Sequence, residues 1–142
     1  MGSALEKYDD FAPELNNLSG AVVNYAFQVH KELGPGFLEI NYEDAFILEL
    51  VKAGIQYERQ KAYKIPYKET FLDSSFRFDL VIEGKILVEL KAIEKIHPLH
   101  QSQLYAYLRA TKLPIGFLIN FNVPLIKDGI HRFVLRPSET PR

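Results

Sequence analysis

The spacing of apolar residues changes several times along the chain, and each change marks an element. Val22, Tyr25, Ala26, Val29 and Leu33 recur at helical spacing, which predicts a helix opened by a Ser19 cap and stopped at Gly34. After Pro35 and Gly36 a second helical pattern runs through Tyr42, Ala45, Phe46, Ile47 and Leu50 to Gly54. From Ile55 the period shortens. Residues 55–60 and 62–67 are β-branched or aromatic stretches broken by charge and by Pro66, and they predict one or two strands. Residues 75–82 and 85–93 alternate clearly and predict a hairpin. Pro98 suits the first turn of a helix over 99–112. Residues 115–121 form a nearly continuous apolar run fit for a buried strand, and 130–135, after the Asp128-Gly129 turn, predict a last one. The order predicts an α/β chain of the α+β type, a mixed central sheet flanked by helices.

Length and composition narrow the chemistry. With 142 residues, 47% of them hydrophobic, the chain suits one core: a single domain over 18–136, a polar lead-in at 1–17 and a flexible tail at 137–142. The absence of cysteine excludes disulfides, thiolate metal sites and cysteine nucleophiles, so any metal must be held by oxygen or imidazole. A formal charge of -1 argues against a protein that coats long nucleic acid mainly by neutralising phosphates. It leaves room for a local acidic site balanced by basic contacts. No apolar run is long enough to span a bilayer and no leader pattern opens the chain, so the expectation is a cytoplasmic protein without a membrane partner.

Alternation sorts the hairpin onto two faces. Phe76, Phe78, Leu80 and Ile82 share one parity and Ile86, Val88 and Leu90 share another, and all seven are apolar. The opposite parities carry Arg77, Asp79 and Val81, then Leu87, Glu89 and Lys91. The two apolar sets coincide only if the loop counts odd, and a three-residue loop at 82–84 with Gly84 in a left-handed conformation fits. That register brings Asp79, Glu89 and Lys91 to one face. Two carboxylates suit a hard divalent ion that prefers oxygen ligands, and an ammonium beside them can orient a water or offset charge on a phosphorane. The plain alternative is a solvated salt-bridge set.

Arg77-Phe78-Asp79 followed by Glu89-Leu90-Lys91 resembles the signature of the PD-(D/E)xK nucleases, with Phe78 in place of the proline. Gly34-Pro35-Gly36-Phe37-Leu38-Glu39-Ile40-Asn41-Tyr42 resembles the Gly-x-x-Glu-x-x-Tyr motif that names one family of that superfamily. The likeness continues through Gln103 and Tyr107 and into 115–120, covering roughly 18–134. It implies a restriction-endonuclease-like core and Mg²⁺- or Mn²⁺-dependent hydrolysis of a nucleic-acid phosphodiester, DNA ahead of RNA. Asp79, Glu89 and the Leu90 carbonyl would hold the metal, Lys91 would assist the water, and Glu39 would join the metal shell directly or through water. Gln103 and Tyr107, four apart and on one helix face, would border the site, with Arg77 and His100 as further substrate contacts. For Tyr107 the alternative is a core aromatic, and for Glu39 an ordinary helix-start carboxylate.

The remaining histidines, His30, His97 and His131, form no persuasive zinc spacing. Tyr63, Lys64 and Tyr67 could hold nucleic acid, but strand aromatics are more often core. The rival function is a non-catalytic module of the same fold that binds nucleic acid or a protein, since fold alone does not fix activity. A domain this small would also gain substrate-contact area as a homodimer.

Overall fold

The computed structural model describes residues 11–135; the tail expected at 137–142 and the first ten residues lie outside that range. The elements are α1 (Pro13–Leu33), α2 (Glu39–Ala53), β1 (Tyr57–Tyr67), β2 (Thr70–Ile82), β3 (Ile86–Lys91), α3 (Pro98–Thr111), β4 (Ile115–Asn120), a 3₁₀ turn (Ile126–Gly129) and β5 (Ile130–Val134). The five strands lie in the order β1-β2-β3-β4-β5. All neighbours are antiparallel except β3 and β4. That parallel pair is joined through α3, as a parallel connection requires a crossover. The result is the mixed sheet with flanking helices that the order of patterns implied.

α1 begins earlier than a Ser19 cap allows. Ala12 occupies its N-cap, Pro13 its first turn, and Ser19 is buried within it. The apolar stripe explains this, because Phe11, Leu15 and Leu18 pack on the same core as Val22, Ala26 and Val29. The C-terminal signal read correctly: Gly34 ends the helix at φ 67°. Among the described residues no helix is long and apolar enough to cross a membrane.

Two cores flank the sheet. Against α1 and α2 lie Leu80, Ile82, Ile86, Val88, Leu90, Ile115, Phe117 and Ile119. Against α3 lie Phe76, Phe78, Val81, Leu87 and Leu118. Alternation therefore holds along β3 and β4, but β2 breaks it. Phe76 and Phe78 share parity with Leu80 and Ile82 yet pack on the opposite side of the sheet, which corrects the single apolar face expected of these four. β1 breaks in step: Tyr57 packs with the first core, Tyr63 and Ile65 with the second. The break falls between the pairs Arg59↔Leu80 and Lys61↔Phe78, at Gln60 and Asp79. Gln60 is left-handed at φ 54°, a conformation uncommon outside glycine that reverses the facing of the next residues in the strand.

The hairpin loop is odd, as expected, but displaced by one residue. Ile82 pairs with Ile86, so the loop is 83–85 rather than 82–84. Glu83 and Gly84 both have positive φ, 54° and 63°, and the Lys85 amide donates to the Ile82 carbonyl at 2.9 Å. Of the side chains singled out for stacking, Tyr63 lies in the α3-side core, whereas Tyr67 is exposed near the end of the β1–β2 hairpin.

Beyond β4 the chain passes close to itself. A Cβ on Gly129 would lie 2.0 Å from the backbone oxygen of Asn120, an atom that cannot swing away. The Asn120 side chain in turn clasps the segment after β3, accepting from the Ile93 amide at 3.1 Å and donating to its carbonyl at 2.9 Å. Gly129→Ala is therefore expected to destabilise the protein by about 3 kcal/mol or more, at the upper end of overpacking. Gly116→Ala, whose Cβ would meet only the flexible Leu108 side chain at 3.2 Å, should cost less. Urea unfolding of both variants checks the order, and equal midpoints would reject it.

Candidate active site

The β2–β3 ladder runs outward from the turn through Ile82↔Ile86 and Leu80↔Val88. Past Leu80, side chains replace the backbone in the next bonds. The Asp79 amide donates to Glu89 Oε1 at 2.9 Å, and the Leu90 amide donates to Asp79 Oδ2 at 2.7 Å. Each carboxylate is thus tied to the backbone of the other's strand. The second oxygen of Asp79, Oδ1, accepts from Gln60 Nε2 at 3.2 Å.

Both acids are largely out of water, and this governs their protonation. Burial raises the Asp79 pKa above the ordinary carboxylate value; the Leu90 amide, Gln60 and Lys91 pull it back, and Glu39 pushes it further up. Burial, then the Asp79 charge, raise Glu89 to about 7. The charge of Lys91 opposes the rise at both acids, but among the described residues Lys91 closes no ion pair. The pair concentrates carboxylate charge in a half-buried place, which is the environment a hard divalent ion relieves.

The other residues picked out in the sequence fall around this pair. Glu39 opens α2 and is exposed, and its charge acts on Asp79, Glu89 and His100. Its approach is set by Tyr42, whose hydroxyl donates to the Gly34 carbonyl at 2.6 Å and accepts from the Phe37 amide at 3.1 Å. His100 sits in the first turn of α3, where its Nδ1 accepts from the His97 amide at 3.0 Å. Burial and then the nearby Lys91 lower its pKa, which favours a neutral ring with its proton on Nε2.

Tyr107 packs against the core on the α3 side of the sheet. Its ring stacks on Phe76 at 4.2 Å within the core, while burial and then Glu89 raise the pKa of its phenol, which Gln103 hydrogen-bonds. Arg77 instead turns toward β1, donating to the Gln60 carbonyl at 3.0 Å. Among the described residues, no group of three or more His, Asp or Glu has the spacing to hold a metal ion, so Glu39 does not close onto the pair.

The sequence reading missed Gln60 and Glu43. Glu43 is 5% exposed, on α2 four residues after Glu39, and that i,i+4 spacing was a signal available in the sequence. Gln60 carried none, because nothing in a stretch of polar β1 residues marks which one turns left-handed.

A family model described as the PD-(D/E)XK nuclease superfamily matches residues 16–133, and the chain belongs to that superfamily. No curated protein matches the chain.

The raised carboxyls fix a pH dependence. A carboxyl whose native pKa lies above its unfolded value holds its proton more tightly when folded, so its contribution is present below the unfolded pKa and is lost as pH rises through the folded one. For Glu89 that window runs from 4.5 to about 7, and Asp79 acts in the same direction from 3.8 upward. Across the window the metal-free protein should lose stability, on the order of 3 kcal/mol from Glu89 at the limit. Glu89→Gln should flatten the dependence and raise the melting temperature at about pH 8. Thermal melts of both proteins from about pH 4.5 to 8 check this, and parallel curves would remove Glu89 as the source.

Proposed function

We propose that this member of the PD-(D/E)XK nuclease superfamily is a divalent-metal-dependent phosphodiesterase acting on nucleic acid, DNA ahead of RNA, and that it falls in the Gly-x-x-Glu-x-x-Tyr group through Gly36, Glu39 and Tyr42. The observation that carries the reading is the Asp79–Glu89 pair, two carboxylates fixed by each other's strand, short of positive charge, with Lys91 two residues on. A salt-bridge set on a solvated face would neither bury its acids nor leave its lysine unpaired.

Mg²⁺ or Mn²⁺ fits this donor set. Asp79, Glu89 and the carbonyl of Leu90 would hold it, with Glu39 reaching it through water; when bound, it would polarise the scissile phosphate and acidify a coordinated water. The chain's own groups do the rest. The Lys91 ammonium orients the attacking water and offsets charge developing on the phosphate oxygens. His100, neutral and carrying its proton on Nε2, donates to a phosphate oxygen. Gln103 and the Tyr107 hydroxyl border the side of Glu89 that faces α3.

Two measurements test this. Lys91→Ala should keep the fold, because the side chain packs little, yet lower metal-dependent cleavage of plasmid or single-stranded DNA by about 10²–10³-fold. Lys91→Arg should not restore it fully, since guanidinium is bulkier and cannot act as a base. Equal cleavage by Lys91→Ala would take the lysine out of the mechanism.

Separately, titration with Mg²⁺ or Mn²⁺ at fixed ionic strength should stabilise the native state by about 2.7 kcal/mol at a hundredfold excess over the dissociation constant. Asp79→Asn should raise the metal-free melting temperature and shrink that gain. No metal-dependent shift in the parent, together with no cleavage, would favour the rival reading, a binding module that keeps the fold without the chemistry.

A further inference from the structure

Gln60 is the one described residue whose side chain joins α2 to Asp79. Its Nε2 donates to Asp79 Oδ1 at 3.2 Å and lies 3.2 Å from Glu43 Oε1 and 3.4 Å from Oε2. A primary amide has two N–H groups, one for each carboxylate. Glu43 cannot yield, because it is buried and ion-paired to Arg59, which also binds Asp44 at 2.6 Å. The Gln60 backbone is held as tightly: it is left-handed at φ 54°, its carbonyl accepts from Arg77, and it stands opposite Asp79 where both strands change facing. A strained conformation in a residue other than glycine persists only where its surroundings over-determine it. Here it aims the amide at Asp79.

We propose that Gln60, anchored by Glu43 and Arg59, is a positioning residue that fixes the rotation of the Asp79 carboxylate; its catalytic consequence rests on the nuclease reading above. Asp79 has one oxygen on the Leu90 amide and the other on Gln60. With the second bond gone, the carboxylate turns about its Cβ–Cγ bond and the Leu90 amide is satisfied only part of the time. Gln60 is itself exposed and acts through Asp79, not on the reacting atoms.

The backbone supplies a clean test. Glycine adopts positive φ without steric cost, so Gln60→Gly removes the amide while relieving the backbone, and its melting temperature should stay near the parent's. Gln60→Asn also tolerates the left-handed conformation but is one methylene too short to span Glu43 and Asp79. In both variants, hydrogen exchange followed by NMR should show the Leu90 amide exchanging about tenfold faster while other β3 amides are unchanged, as for a local opening. In the presence of Mg²⁺ or Mn²⁺, kcat should fall by about 10–10²-fold with KM for DNA unaltered, the cost of a misplaced group that does not bind substrate.

Parent-like Leu90 exchange in both variants would overturn the proposal. So would faster exchange across all of β3 with a lowered melting temperature, because Gln60 would then be supporting the sheet rather than aiming one side chain. If the parent itself cleaves no nucleic acid, the nuclease reading fails and the exchange measurement still decides the positioning role.

Discussion

The site depends on two hydrogen bonds in which carboxylates take the place of a strand. Where β2 parts from β3, the amides of Asp79 and Leu90 would lack partners in a half-buried position, at a cost of about 1–3 kcal/mol each. Glu89 and Asp79 supply those partners. The same bonds fix the direction of both acids relative to the sheet, so the geometry of the site and the way the ladder ends have one cause. Removing either side chain would expose a backbone donor as well as delete a proposed metal ligand, which is why Asp79→Asn, retaining an acceptor oxygen, separates charge from support better than alanine does.

Positive charge near the pair is deployed unevenly. Arg59 is committed to Glu43 and Asp44, and Arg77 to a backbone carbonyl. Lys61 lies with Glu58 at 2.8 Å. Among the described residues only Lys91 is a cation acting on both Asp79 and Glu89 while closing no ion pair of its own. A surrounding that neutralised the acids would have made them a stable polar cluster. This one leaves both carboxyls raised above their ordinary values, and on the metal-dependent reading proposed above, stability near neutral pH is what the fold gives up for a place that takes a divalent ion, a trade expected at functional sites.

Most elements were legible because each has a period or a punctuation mark. Gly34 and Gly54 stop helices, Pro98 opens one, and the apolar run of β4 announces a fully buried strand. That Asp79 and Glu89 share a face was legible for a narrower reason: parity requires an odd loop, and loops at 82–84 and at 83–85 both satisfy it, though only the second brings the two acids opposite each other. Which of the two forms depends on backbone torsions at Glu83 and Gly84, and no side-chain pattern records them. The reversal at Gln60 was invisible for a related reason. Phe76, Phe78, Leu80 and Ile82 are apolar whichever core receives them, so a strand that passes from one core to the other keeps an unbroken alternation in sequence. Only the contacts tell them apart, Phe76 and Phe78 with Tyr107, Leu80 with the helices opposite.

That crossing lets both helical layers reach one site. Had β2 stayed flat, its two faces would have served α1 and α2 on one side and α3 on the other, and a carboxylate at position 79 would have belonged to a single layer. α2 and α3 are each also held by an aromatic stack on their own side: Tyr42 on Phe121, the residue after β4, at 4.5 Å with the rings 4° from parallel, and Tyr107 on Phe76 of β2, at 4.2 Å and 6°. Such pairs are worth about 0.5–1.5 kcal/mol beyond the area they bury, and their flat contact resists sliding. Glu39 lies three residues before Tyr42 and Gln103 four before Tyr107, so each shares a helix face with its anchor. The tyrosines therefore set the positions of the polar residues beside them. A substitution that unstacked either ring would displace one wall of the site while leaving the Asp79–Glu89 bonds intact.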